Sequence, residues 1–138
     1  MNNFIQRTLS GFLFVVIIVG SIIWTPYSFA VVFTLITGGS VYEFHRLTNK
    51  QHDVQAMTVM SVIGAVILFV ISFLFATGTI IYPGYSIYGL YIVLMLVIEL
   101  YRRKPNPLHN WAYFLLGQVI IALPFSLLNF ILYIESYN

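Results

Sequence analysis

Residues 8–42 contain no Asp, Glu, Lys or Arg. No other feature limits the fold as strongly. As one helix the stretch would run for roughly 50 Å at 1.5 Å per residue, well beyond a hydrocarbon core of about 30 Å. It must therefore fold back, and Trp24-Thr25-Pro26-Tyr27 is the natural place. Proline suits a turn or a helix start, and Trp and Tyr favour the bilayer interface. The expected element is a hairpin of two membrane helices, about 8–24 and 27–44. Ser28-Phe29-Ala30 has the small residues of a cleavage site. The long apolar run before it and the second span directly after it argue against a cleaved leader.

The remainder of the chain repeats the pattern. Further apolar runs cover about 56–77, 83–101 and 110–133. A polar segment at 45–55, a Pro83-Gly84 turn and the basic, proline-broken Arg102-Arg103-Lys104-Pro105-Asn106-Pro107 loop separate them. Hydrophobic residues make up 60% of the 138 and charged residues 7%, whereas an ordinary soluble domain is roughly 25% charged. So few charges cannot cover a soluble surface, but lipid demands no such cover. The expected fold is an all-α integral membrane protein of five transmembrane helices forming a single helical region, 1–138.

Charge sets its orientation. With five spans, the N-terminus, the loop after span two and the loop after span four share a side. They hold Arg7, Arg46, Lys50, Arg102, Arg103 and Lys104, all six basic residues. Positively charged loops stay in the cytoplasm, so the N-terminus is expected inside and the C-terminus outside. A net charge of +2 excludes a massed nucleic-acid footprint. The absence of cysteine excludes disulfides and thiolate chemistry.

The candidate functional residues cluster at helix ends. Glu43 has Arg46 three residues on, and Glu99 has Arg102 and Arg103 at three and four. These spacings put acid and base on one helical face. They suit interfacial ion pairs, or the lining of a site for an anionic headgroup or nucleotide. The run Arg102-Arg103-Lys104 suits a topology anchor or an anionic-lipid contact. His45, His52 and His109 lack the spacing of a helix-borne zinc pair and read as interfacial or solvated. In the fifth span Gln118 and Asn129 lie eleven residues apart, nearly on one face. Pro124 between them frees a backbone carbonyl. That face is expected to turn toward other helices. No glycine-rich phosphate loop and no Gly-x-Ser-x-Gly elbow is present. No catalytic, cofactor-binding or metal-ligating residue can be named, and the residues alone read as a bundle without a self-contained active site.

Several features in order resemble the N-terminal half of the bacterial phosphatidate cytidylyltransferases, the CDP-diacylglycerol synthases. They are Arg7-Thr8-Leu9-Ser10-Gly11, the hairpin turning at Pro26, Tyr42-Glu43-Phe44 followed by Leu47, and Gly117 with Ile121-Ala122-Leu123-Pro124-Phe125. Tyr42 stands where the family often has Trp. The resemblance implies an inner-membrane enzyme of phospholipid biosynthesis. With Mg²⁺ it converts CTP and phosphatidate to CDP-diacylglycerol and pyrophosphate. The family's Ser-Pro-x-Lys, Lys-Asp, His-Gly-Gly and Asp-Arg elements do not occur here. The resemblance thus implies a membrane portion without turnover of its own. It would contact membrane lipids, form a possible homodimer, bind no nucleic acid itself, and meet CTP and Mg²⁺ only through the missing half. The rival readings are a complete small transporter or channel subunit and a non-catalytic membrane scaffold.

Overall fold

A computed structural model describes residues 2–81 and 84–133. The proline of the expected Pro83-Gly84 turn and the last five residues lie outside the described residues. Among the described residues the chain is helical, with no strand. The helices are α1 (Asn3–Trp24), α2 (Pro26–Thr48), α3 (Thr58–Ala76), α4 (Tyr85–Tyr101), α5 (Pro107–Gly117) and α6 (Leu123–Tyr133). A π-helical turn, Gln118–Ala122, joins α5 to α6.

Three helical stretches are long and apolar enough to cross a membrane: Asn3–Trp24, Thr58–Ala76 and the continuous Pro107–Tyr133. α4 is a shorter apolar helix of 17 residues, or roughly 25 Å. α2 falls outside this set. Gly38-Gly39-Ser40 and the polar turn Glu43–Arg46 dilute its apolar character. The structure thus supports an all-helical membrane protein with three to four such helices.

The chain forms two compact units, Met1–Phe33 and Thr34–Asn138. In the first, α1 ends at Trp24 and Thr25 is extended, with φ −150° and ψ 155°. Pro26 opens α2, where its missing N–H is no loss. Thr25 and Ser28 then cap the new helix reciprocally. The Ser28 amide donates to Thr25 Oγ1 and the Thr25 amide to Ser28 Oγ, each at 3.1 Å. The expected break at Pro26 is therefore a capped helix start. On α1, Phe12, Val16 and Ile23 are exposed, as a lipid-facing helix requires.

In the second unit α3 is central and packs on α4, α5, the π turn and α6. Its buried face carries Ser61, Gly64, Ala65, Leu68, Ser72 and Ala76. Small residues at these spacings let neighbouring helices approach closely. Val41, Ala65, Leu68 and Ala122 form the core, with Val62, Tyr85, Tyr88 and Ile121 against it. Aromatic contacts extend the α3–α6 seam at Phe75–Phe130 and Phe73–Tyr133, both with ring centroids 6.0 Å apart.

The π turn has a local cause. Pro124 has no N–H to give to the carbonyl four residues back, and its ring crowds that carbonyl. The ladder adjusts one residue earlier, where the Leu123 amide reaches back five residues to the Gln118 carbonyl. The helix thereby continues through proline without a break.

Candidate functional site

Two polar clusters and one groove stand out in the second unit. The first cluster lies at the end of the bundle that carries the 49–57 and 102–106 connections. Glu99, in the last turn of α4, is only 2% exposed. Arg102 Nη1 lies 2.5 Å from Glu99 Oε2. The Asn110 side-chain amide, from α5, donates to Glu99 Oε1 at 2.7 Å. Asn110 Oδ1 in turn accepts from the Gln55 amide at 2.8 Å, and Arg102 donates to the Gln55 carbonyl at 3.1 Å. One turn earlier on the connection, Asn49 exchanges two 3.0 Å hydrogen bonds with the backbone of Ala56. A buried carboxylate must have such partners, and the partners here also pin the 49–56 connection against α4 and α5.

Glu43 and Arg46 form a separate pair, 3.3 Å apart and largely exposed. The same i,i+3 spacing thus gives one solvated pair and one buried network. Arg103 leaves α4 with φ 50°, and Asn106 precedes α5 with φ 56°. These left-handed residues turn the basic loop between the helices, and Asn tolerates the conformation well. Arg103 and Lys104 are exposed. Near this end a cavity of about 410 Å³ is lined by Gln51, His52, Asp53, His109 and Tyr113, among others.

The second cluster centres on Gln118, in the π turn. Its side-chain amide donates to the Ser61 carbonyl at 2.7 Å and to Ser61 Oγ at 3.1 Å. Its oxygen accepts from the Tyr88 hydroxyl at 2.9 Å. Ser61 Oγ is also 2.6 Å from His45 Nε2. The network therefore joins α2, α3, α4 and the π turn. His45 corrects the sequence reading. It is fully buried rather than interfacial or solvated, because α3 and the α5–π junction close over it. Its Nδ1 lacks a hydrogen-bond partner among the described residues. His52 and His109 are exposed, as read.

Gln118 and Asn129 are both buried, but they do different things. Gln118 bonds across helices. Asn129 donates to the Ser126 carbonyl within α6 at 3.0 Å, while its oxygen has no partner among the described residues. Both side chains are turned inward, as expected of a face directed toward other helices, and Gln118 bonds across helices while the Asn129 amide bonds within its own.

Two glycines permit the second cluster. A Cβ on Gly117 would sit 3.0 Å from His45 Nε2. One on Gly64 would sit 2.9 Å from the Tyr91 ring and 3.4 Å from Gln118 Oε1. Next to the cluster runs a groove of about 410 Å³, walled by residues of α3, α4 and the α5–α6 stretch, including Tyr88 and Gln118.

The Mg²⁺ of the family enzyme, which the resemblance does not assign to this segment, has no matching donor set among the described residues. Among the described residues no three His, Cys, Asp or Glu side chains converge. Both oxygens of Glu99 are engaged by Arg102 and Asn110, and Glu43 faces Arg46. Hard cations need several free oxygen ligands at one point. Sequence reasoning found Glu99, Arg102 and Gln118 but missed Asn49, Gln55, Asn110, Ser61 and Tyr88. Their partners are up to 57 residues away in the chain, and no local pattern encodes such pairings.

No curated protein and no solved structure matches the chain. A family model does match, over residues 5–136. It covers α1, α2, both polar clusters and the π turn, and the chain accordingly belongs to the cytidylyltransferase family.

Proposed function

We propose that this chain is the N-terminal membrane portion of a phosphatidate cytidylyltransferase. The parent enzyme converts CTP and phosphatidate to CDP-diacylglycerol and pyrophosphate in the inner membrane. The carrying observation is membership of the cytidylyltransferase family over residues 5–136, on a frame of long apolar helices. Phosphatidate is the substrate that suits such a frame. It resides in the bilayer, and a protein of apolar helices can meet it there.

The role assigned to this portion is scaffolding. In the Glu99–Arg102–Asn110–Gln55 network and in the Gln118 network the side chains are committed to one another, apart from His45 Nδ1, which fits a rigid support better than a reacting centre. Carboxylates that hold Mg²⁺ against the triphosphate would come from other residues of the parent enzyme. The proposed topology is five spans, with the N-terminus and the basic loops in the cytoplasm. A contact between two copies belongs to the same proposal. The transporter reading is weaker. Ion-coupled carriers use ionisable groups within the span, and Glu99 sits at a helix end, neutralised by Arg102.

An enzymatic assay and the gene test this together. The purified 138-residue chain, given CTP, phosphatidate and Mg²⁺, is expected to form no CDP-diacylglycerol. The coding sequence after Asn138 is expected to supply the Lys-Asp, His-Gly-Gly and Asp-Arg elements, and the product of that longer frame to turn over. Turnover by the 138-residue chain would overturn the scaffold role. A longer frame without those elements, or without the activity, would overturn the substrate assignment.

A further inference from the structure

Three cations in a row, Arg102-Arg103-Lys104, follow α4, and the fold divides them. Arg102 is committed to Glu99, in the last turn of the same helix, and to the Gln55 carbonyl at 3.1 Å. Arg103 and Lys104 are exposed, and neither has an ion pair among the described residues. The described carboxylates are taken up elsewhere. Glu43 faces Arg46, Glu99 faces Arg102, and Asp53 lies 3.5 Å from His52. Two adjacent positive charges are therefore presented outward without a counter-charge from the described residues.

The loop that carries them is short and stiff. Only residues 102–106 separate α4 from α5. Pro105 and Pro107 each fix φ, Arg103 and Asn106 hold φ at 50° and 56°, and Arg102 ties the start of the loop to the 49–57 connection. Charges held in place lose little freedom when a ligand arrives. The stems of the loop decide which anion fits. Leu100, Tyr101 and Leu108 flank the two cations and are 53%, 82% and 69% exposed. Such leucines belong against hydrocarbon, and a tyrosine at the end of an apolar helix belongs at the headgroup level. Arg103 and Lys104 follow Tyr101 within three residues, which sets them at the depth of lipid phosphates. A soluble phosphate meets only the charges. A phospholipid meets the charges with its phosphate and the flanking leucines with its chains.

We propose that the Arg103–Lys104 loop is a contact site for anionic phospholipids, held through the headgroup phosphate. Each cation near a membrane surface favours an anionic lipid by about five-fold. The pair is expected to enrich one by up to about 25-fold over a zwitterionic lipid at low salt, and by less as salt screens the charges. A phosphodiester is sufficient for this contact, so the proposal does not rest on the cytidylyl-transfer reading.

The test is quenching of tryptophan fluorescence by brominated lipids, on the full chain in nanodiscs. The chain has two tryptophans. Trp111, half-buried in α5, reports on the loop end, and Trp24 reports from the uncharged stretch 8–42. In a Trp24→Phe background, brominated phosphatidylglycerol is expected to displace phosphatidylcholine around Trp111 with a relative association constant of about 5 to 25. In a Trp111→Phe background the constant at Trp24 is expected to stay at about one, because no cation is near it. Arg103→Asn combined with Lys104→Gln removes both charges, and asparagine tolerates the left-handed turn. The preference at Trp111 is then expected to fall to that at Trp24. Lys104→Gln alone is expected to lose about five-fold and serves should the double variant fail to fold. Inorganic phosphate is expected to displace no more phosphatidylglycerol than chloride does at matched ionic strength. Equal constants at the two tryptophans, or a preference unchanged by these variants, overturn the proposal and leave the charges as an orientation mark. Displacement by inorganic phosphate beyond that by chloride also overturns it, in favour of a site for a free anion.

Discussion

Gly64 and Gly117 occupy positions where one added carbon meets an immobile neighbour. At Gly64 the neighbour is the Tyr91 ring, whose hydroxyl donates to the Met60 carbonyl at 2.6 Å. That bond limits how far the ring can retreat. Gly64→Ala is therefore expected to destabilise the chain by about 1–3 kcal/mol through overpacking, read as a lower unfolding midpoint in detergent. Gly39 is the control, since a Cβ there meets nothing within 4 Å. Gly39→Ala is expected to be neutral or to stabilise by up to about 1 kcal/mol. Equal effects at both sites would remove close packing as the reason for Gly64. The two acid–base pairs make the same point about residues. Glu99→Ala leaves Arg102 and Asn110 without their acceptor and is expected to cost roughly 3 kcal/mol, the low end for a broken buried pair, because Arg102 keeps some water access. Glu43→Ala removes an exposed pair and is expected to stay within about 0.5 kcal/mol. The sequence offers both pairs at one spacing. Burial separates them, and burial is set by Asn110 and Gln55, which lie 11 and 44 residues from Glu99 in the chain and were invisible to local reading.

Elements were the most legible level. Uncharged stretches marked the apolar helices, and Pro26 marked the start of α2, because lipid solvation and the missing proline N–H act locally. Pro124 was legible only in part. Its freed carbonyl could be foreseen, but the adjustment to a π turn depends on what Gln118 gains from α3 and α4. Turning Gln118 toward Ser61 and Tyr88 offsets the poorer ladder geometry of the turn. A double-mutant cycle measures that coupling. Gln118→Leu alone is expected to cost about 1–3 kcal/mol, because Tyr88 and Ser61 lose a buried partner. Pro124→Ala restores the N–H and permits regular α-helix, which would rotate Gln118 away from the network. In that background Gln118→Leu is expected to cost markedly less. Strictly additive effects would show that the π turn does not position Gln118. His45 was misread for a related reason. A histidine beside Arg46 looks interfacial by composition, and only the α3 and α5 packing around it decides that it is buried.

At the scale of the molecule the topology turns on α2. Its apolar character is diluted by Gly38-Gly39-Ser40 and by Glu43 and Arg46, yet it is 23 residues long, enough for roughly 34 Å. The basic residues give an argument from charge. If α1 and α2 both cross, Arg7 and Lys50 share a side. If α2 lies along the interface, they are on opposite sides and the positive-inside pattern fails. The chain has no cysteine, so single introduced cysteines report without background. Asn2→Cys, Lys50→Cys, Lys104→Cys and Thr79→Cys all fall at exposed positions. In oriented inner-membrane vesicles the first three are expected to react with a membrane-impermeant maleimide from the cytoplasmic side only, and Thr79→Cys from the opposite side only. Labelling of Asn2→Cys and Lys50→Cys from opposite sides would place α2 in the membrane plane and reduce the spans to four. Labelling of Lys50→Cys and Thr79→Cys from one side would remove α3 as a span.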